Sequence, residues 1–314
     1  MVEHCQAQSA VGVEIEFAGL EVAQAAALAA QALGGRVEHQ GTHLASVEGS
    51  AIGRIRFELD TRYAKEPEDP GALDQALDDL ALRESVADAL SVVVPVELIT
   101  EPLDAAALTH LDTALDALAQ AGATGTKDGA LSAFGMHLNV ALDPPEPARA
   151  IRIAAAYAFV EPWLRTEMAI DLTRRATPFV DPYPQAFVRA LARACREGQP
   201  GLARFIALYG AWNPSRNRGL DLWPLLGHLD PDATQAALGA PAKGARPAFH
   251  YRLPDSLLGQ PGWSPQTDLT RWRAVERIAD DPTRFQSVRK AAAALHTWRC
   301  TRRTYATVIG EAMA

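Results

Sequence analysis

Apolar and polar positions alternate along Val11-Gly12-Val13-Glu14-Ile15-Glu16-Phe17. A period of two predicts a β-strand with Glu14 and Glu16 on one face and Val13, Ile15 and Phe17 on the other. Two carboxylates side by side repel, and a buried sheet tolerates them only with a cation or proton between them. Taken alone, the stretch reads equally well as an edge strand with a solvated acidic face.

The rest of the chain supplies more segments of the same kind. Val22 to Leu33 has helical periodicity and stops at Gly34-Gly35. Arg36 to Val47 and Gly53 to Leu59 read as a strand pair, the second running into Phe57-Glu58-Leu59-Asp60 with Glu58 and Asp60 on one face. A loop from Pro67 to Gly71 leads to a helix over 72–90. The strand around Val96-Glu97-Leu98 holds one carboxylate in an apolar run, and Pro95 suggests an edge position or a bulge near Glu97. Asp104 is an N-cap for a helix to about Ala121, and the glycine-containing stretch Gly122 to Gly129 lacks Walker A spacing and reads as a connection. Phe134 to Val140 is a strand with His137 and Asn139 on one face.

Beyond it the pattern is mainly helical, over Pro147 to Ile170, Pro184 to Arg196 and Leu202 to Tyr209. A polar segment, Asn213 to Leu226, precedes a last strand over Pro247 to Leu253. Helices at about Asp268 to Asp280 and Pro282 to Arg299 close the chain. Strands grouped with hairpins and intervening helices predict an α+β fold with a mostly antiparallel sheet. No glycine fingerprint follows the first strand, which argues against a dinucleotide-binding domain. The expectation is a single domain over 1–314, mainly helical at about 146–230 and again at about 266–314.

Composition narrows the class. A formal charge of −8 argues against a general nucleic-acid binder and gives no reason to expect an anionic membrane partner. No run reaches the roughly 20 apolar residues of a membrane span, and the opening MVEHCQAQSA has no apolar core like that of a signal peptide. Cys5, Cys195 and Cys300 lie far apart and read as free thiols of a cytoplasmic protein.

Ionisable groups therefore recur inside apolar strands: Glu14 and Glu16, Glu58 and Asp60, Glu97, His137, and His250 with Arg252 in Phe249-His250-Tyr251-Arg252-Leu253. Isolated buried charges are costly. A divalent cation that takes carboxylate oxygens and an imidazole offers the compensation. Individually each has a plainer reading: His137 as a satisfied core histidine, Glu97 as a salt-bridge partner, Glu58 as a solvated strand end, Arg252 as a counter-ion.

These residues carry a resemblance. From Gly12 to about Glu276 the chain resembles the amidoligases of the glutamine synthetase/glutamate–cysteine ligase superfamily of ATP-dependent carboxylate–amine ligases. GVEIEF is similar to that family's opening E-x-E strand, and LDTRY to the segment supplying an aspartate, here Asp60. VELITEPL is similar to its E-[LIV]-[LIV]-[ST]-x-P segment, with Glu97 as the acid, and GMHLN to its H-x-N strand, with His137 and Asn139. SRNRGLDL resembles the arginine-rich stretch before the last strand, with Asp221 where many relatives carry asparagine. HYR stands where many have E-x-R, so His250 replaces a glutamate.

The resemblance implies an antiparallel sheet curved over the active site, like a glutamine synthetase catalytic domain, with two or three Mg²⁺ (or Mn²⁺) ions and ATP. It implies phosphoryl transfer to a substrate carboxylate and displacement of phosphate from the acyl phosphate by an amine, the substrates being small molecules or peptides. Glu14, Glu16, Asp60, Glu97 and His137 would hold metal, with His250 a further ligand and catalytic group. Arg252 would stabilise the transferring phosphoryl group, and Asn139, Arg216 and Arg218 would contribute to cofactor binding. Arg174, Arg175, Arg216 and Arg218 are candidates for the substrate carboxylate or nucleotide, or surface and structural arginines. A metal-dependent hydrolase on the same ligands and an inactive ligase-fold binding protein are the alternatives.

Overall fold

The structure, a computed structural model, describes residues 9–59, 94–126, 133–176, 180–295 and 302–314. Asp60, and the helix expected over 72–90, lie outside the described residues. Among those described, eight strands form one open sheet: β1 (Val11–Phe17), β2 (Arg36–His39), β3 (Leu44–Ser50), β4 (Gly53–Leu59), β5 (Val96–Thr100), β6 (Met136–Ala141), β7 (Leu220–Asp221) and β8 (Ala248–Tyr251). Their spatial order is β2-β3-β4-β5-β1-β6-β8-β7, and every neighbouring pair is antiparallel. The fold is α+β, as the strand grouping predicts.

The register sorts the side chains. Glu14 faces His137 and Glu16 faces Glu97 across β1, while Asn139 and Asp221 both face His250 across β8. Directly paired residues share a sheet face, so one face carries Glu14, Glu16, Glu97, His137, Asn139, His250 and Asp221 together. The opposite face carries Val13, Ile15, Phe17, Leu98, Phe57, Leu138, Phe249 and Tyr251, all buried. A sheet polar on one face and apolar on the other demands helices against the second.

Those helices are α1 (Val22–Leu33) and α2 (Ala105–Gln120) at the β3–β4 end, and α3 (Pro147–Glu167) and α9 (Pro265–Asp280) at the other. Trp272 of α9 stacks at a tilt on Phe249 and Tyr251, and Tyr157 of α3 meets Tyr251 edge to face. Between α3 and α9 lie α4 (Leu172–Ala176), α5 (Gln185–Glu197), α6 (Leu202–Trp212), α7 (Trp223–Leu229) and α8 (Pro231–Leu238), and α10 (Pro282–Ala294) and α11 (Arg302–Met313) follow. Among the described residues no helix is long and apolar enough to cross a membrane.

Several local expectations change. The first strand lies between β5 and β6, so the edge-strand reading of its acidic face does not hold. Pro95 precedes a strand paired on both sides; it stands just outside β5, where its missing N–H costs the ladder nothing. The strand expected over Arg36 to Val47 is two, β2 and β3, turned by Gly41 at φ +105°. The segment Asn213 to Leu226 holds β7 and the start of α7. The Asp104 cap is as expected, its carboxylate accepting from the Ala107 N–H at 2.8 Å.

Candidate metal centre

Three of the expected ligands converge. One ligand atom each from Glu14, His137 and His250 lie within 4.8 Å of one another. The Glu14 Oε2 is 2.8 Å from the His137 Nδ1 and 3.9 Å from the His250 Nε2. The two imidazole rings stand edge to face, 5.2 Å apart and 82° between planes. They come from β1, β6 and β8, three neighbouring strands, and alternation brings all three side chains to one side.

Further groups frame the trio. The Asn139 amide donates to Glu14 Oε1 at 2.8 Å and its oxygen accepts from Arg246. Asp221, 1% exposed, sits beyond His250 with Oδ2 3.7 Å from Nδ1. That carboxylate is fixed by Arg216 Nε at 3.1 Å and by the Trp223 N–H at 3.0 Å. The Arg216 guanidinium lies over the Trp223 ring, 5.8 Å from its centre.

The electrostatics suit a cation. Burial drives His137 down to about 3, against the pull of Glu14, so this imidazole is neutral near pH 7 with a lone pair to offer. Burial lowers His250 too, against Asp221 and Glu14. Burial opposes charge on Glu14, yet the His137 hydrogen bond, the neighbouring imidazoles and the Asn139 amide hold its carboxyl well below the usual range. Asp221 is also lowered, the contacts with His250, Arg216 and the Trp223 N–H outweighing burial.

Glu16 and Glu97 form a second pair on the same face, directly opposed across β1 and β5 and both buried. Glu16 Oε2 accepts from the Gly135 N–H at 2.7 Å. Arg252 follows β8, buried, its Nη1 donating to the Arg216 carbonyl at 3.1 Å. Arg174 is buried beneath it and donates to the carbonyls of Arg252, at 2.9 Å, and Pro254. It also pairs with Asp255 at 3.5 Å, and its guanidinium lies against Gly135, where a Cβ would approach to 3.0 Å. Arg174 thus clasps the backbone that presents Arg252. Arg175 is exposed. Arg218 is directed to Asn213 at 2.6 Å and to the Pro182 carbonyl at 3.0 Å.

Two contributors escape a strand-by-strand reading. Arg246 lies in the approach to β8, outside any alternating run, and reaches Asn139 only because β6 and β8 pair. Asp221 stands in a two-residue strand too short to show a period. A cavity of about 330 Å³ lined by Ile151, Cys195, Asp280 and Phe285 lies among the helices, away from this face.

The His250 nitrogens are the test of fit for a metal. Both are buried and neither has a hydrogen-bond partner, an arrangement that costs stability unless something occupies it. A cation shared by Glu14, His137 and His250 would satisfy it.

A family model described as "Putative amidoligase enzyme" matches residues 7–274, most of the chain. No curated protein and no solved structure matches.

Proposed function

Because the chain belongs to the amidoligase family, we propose that it joins a carboxylic acid to an amine at the expense of ATP, on the polar face of the sheet. The observation that carries this reading is the gathering of Glu14, His137 and His250 within 4.8 Å, beside the opposed pair Glu16 and Glu97 and the buried Arg252. In the reaction proposed, a carboxylate oxygen attacks the γ-phosphorus, ADP leaves, and an acyl phosphate forms. The amine then attacks the acyl carbon, loses a proton, and phosphate departs with one oxygen of the original carboxylate.

The chain's own groups would divide this work. Two anions, ATP and a carboxylate, must approach one another, so positive charge is needed between them. Glu14, Glu16, Glu97, His137 and His250 would hold Mg²⁺ or Mn²⁺, which when bound neutralises phosphate charge. Arg252 would offer the fork of donors that matches phosphoryl oxygens. Asn139 and Arg246 would fix Glu14 in orientation, and Arg216, stacked on Trp223, would face the nucleotide. A glutamine synthetase-like curvature of the sheet belongs to this reading.

The test is ADP release with Mg²⁺ or Mn²⁺, screened across amino acids, polyamines and short peptides. ADP formation that requires both an acid and an amine is the expected result. The imidazole-rich trio also suits a metal-dependent hydrolase that activates water, and cleavage of an amide without ADP would favour that reading instead.

A further inference from the structure

The trio differs from an all-oxygen site in its donors: two imidazole nitrogens and one carboxylate oxygen. Mg²⁺ prefers oxygen ligands, keeps several waters and gains little from nitrogen. Imidazole suits the later first-row transition ions, such as Co²⁺, Ni²⁺ and Zn²⁺, whereas Mn²⁺ sides with Mg²⁺ in favouring oxygen. From these donors we propose that Glu14, His137 and His250 form a site selective for a divalent transition ion over Mg²⁺, with Asp221 as the outer carboxylate that orients His250. It rests on the reading that this face holds metal and deepens it by naming the class of ion.

The geometry accords with one shared ion. Ligand atoms bonded at about 2.1 Å stand about 3.0 Å apart at right angles and about 3.4 Å apart in a tetrahedron. The Glu14 Oε2–His250 Nε2 separation is 3.9 Å, and the 2.8 Å hydrogen bond between Glu14 Oε2 and His137 Nδ1 is one that a bound ion would replace. Small rotations of the rings would reach the bonded spacings.

His250 is the side chain most in need of such an ion. Its two nitrogens are buried without hydrogen bonds. Binding through Nε2 would polarise the ring and draw the Nδ1–H toward Asp221, now 3.7 Å away. A carboxylate behind a ligating histidine is the usual device for fixing tautomer and raising basicity. Asp221 is held for that task by Arg216 and the Trp223 N–H.

The experiment uses tag-free full-length protein, stripped of metal by a chelator and titrated without nucleotide. Affinities for Mg²⁺, Mn²⁺, Co²⁺ and Zn²⁺ come from calorimetry, and Co²⁺ ligation from its visible spectrum. Co²⁺ and Zn²⁺ are expected to bind at least on the order of 100-fold more tightly than Mg²⁺. The Co²⁺ band should be lost in His250→Gln and in His137→Gln. Asp221→Asn should weaken Co²⁺ by about 10–100-fold while leaving the band in place. His250→Glu, which replaces nitrogen by oxygen, should narrow the gap between Co²⁺ and Mg²⁺.

Equal affinities of wild type for Mg²⁺ and Co²⁺ would overturn the proposal. A Co²⁺ spectrum unchanged by both imidazole substitutions would do the same. The wild-type ratio decides even if a variant does not fold. Failure to form ADP with any substrate would count against the ligase reading and leave this result standing. Mg²⁺ preference together with ADP formation would do the reverse.

Discussion

Arg252 is the residue on which the proposed chemistry turns most sharply. It is buried at the end of β8, two positions from His250, and its backbone carbonyl is gripped by Arg174. A side chain placed so firmly suits a charge that develops in the transition state better than one that merely attracts a ligand. Arg252→Lys keeps the positive charge but removes the planar fork of donors. Nucleotide affinity is therefore expected to stay close to wild type while ligation falls on the order of 10²–10³-fold. The check is ATP binding by calorimetry beside turnover of a ligation substrate; near-normal turnover would reduce Arg252 to a structural counter-ion.

At the scale of elements, the site depends on how β8 and its continuation are tied to the rest. The segment after β8 is stitched to the stretch that follows α2: Gly125 donates to the Leu258 carbonyl at 2.9 Å and Thr126 to the Ser256 carbonyl. The two backbones run so close that a Cβ at Gly125 would lie 2.1 Å from the Ser256 oxygen and 2.7 Å from the Leu258 nitrogen. Neither neighbour is the flexible end of a side chain, so both strands of backbone must move. Gly125→Ala should cost about 1–3 kcal/mol and lower the thermal midpoint by several degrees. An unaltered melt would mean that this contact does not hold the β8 continuation in place.

Element scale is also where the sequence was most and least legible. Strands β1, β6 and β8 show period two, so Glu14, Glu16, His137 and His250 could be assigned to faces from alternation, whereas Glu97 stands in an apolar run that shows no such period. What alternation cannot give is which strand lies beside which. Glu14 meets His137 because β1 pairs with β6, and Asp221 meets His250 because a two-residue strand pairs with β8. Asp221 and His250, the two positions where the sequence departs from the motifs it resembles, face one another in that register. Turn chemistry also outran periodicity: Asp230-Pro231 caps and starts the short helix α8, whose few residues show too little apolar pattern to be found from it.

For the molecule as a whole, the organising feature is a sheet, eight strands among the described residues, with one face in the core and a cluster of ionisable groups on the other. The helices pack against the apolar face, and the proposed reaction of acid, amine and nucleotide is assigned to the polar one. The account's central claim is that this face makes an acyl phosphate, and oxygen tracing tests it most directly. A carboxylic acid substrate labelled with ¹⁸O in both carboxylate oxygens is turned over with ATP and amine, and the released phosphate is weighed. Transfer through an acyl phosphate predicts one labelled oxygen in inorganic phosphate for each amide formed, with ADP as the other product. Unlabelled phosphate, or label carried into AMP, would contradict the account.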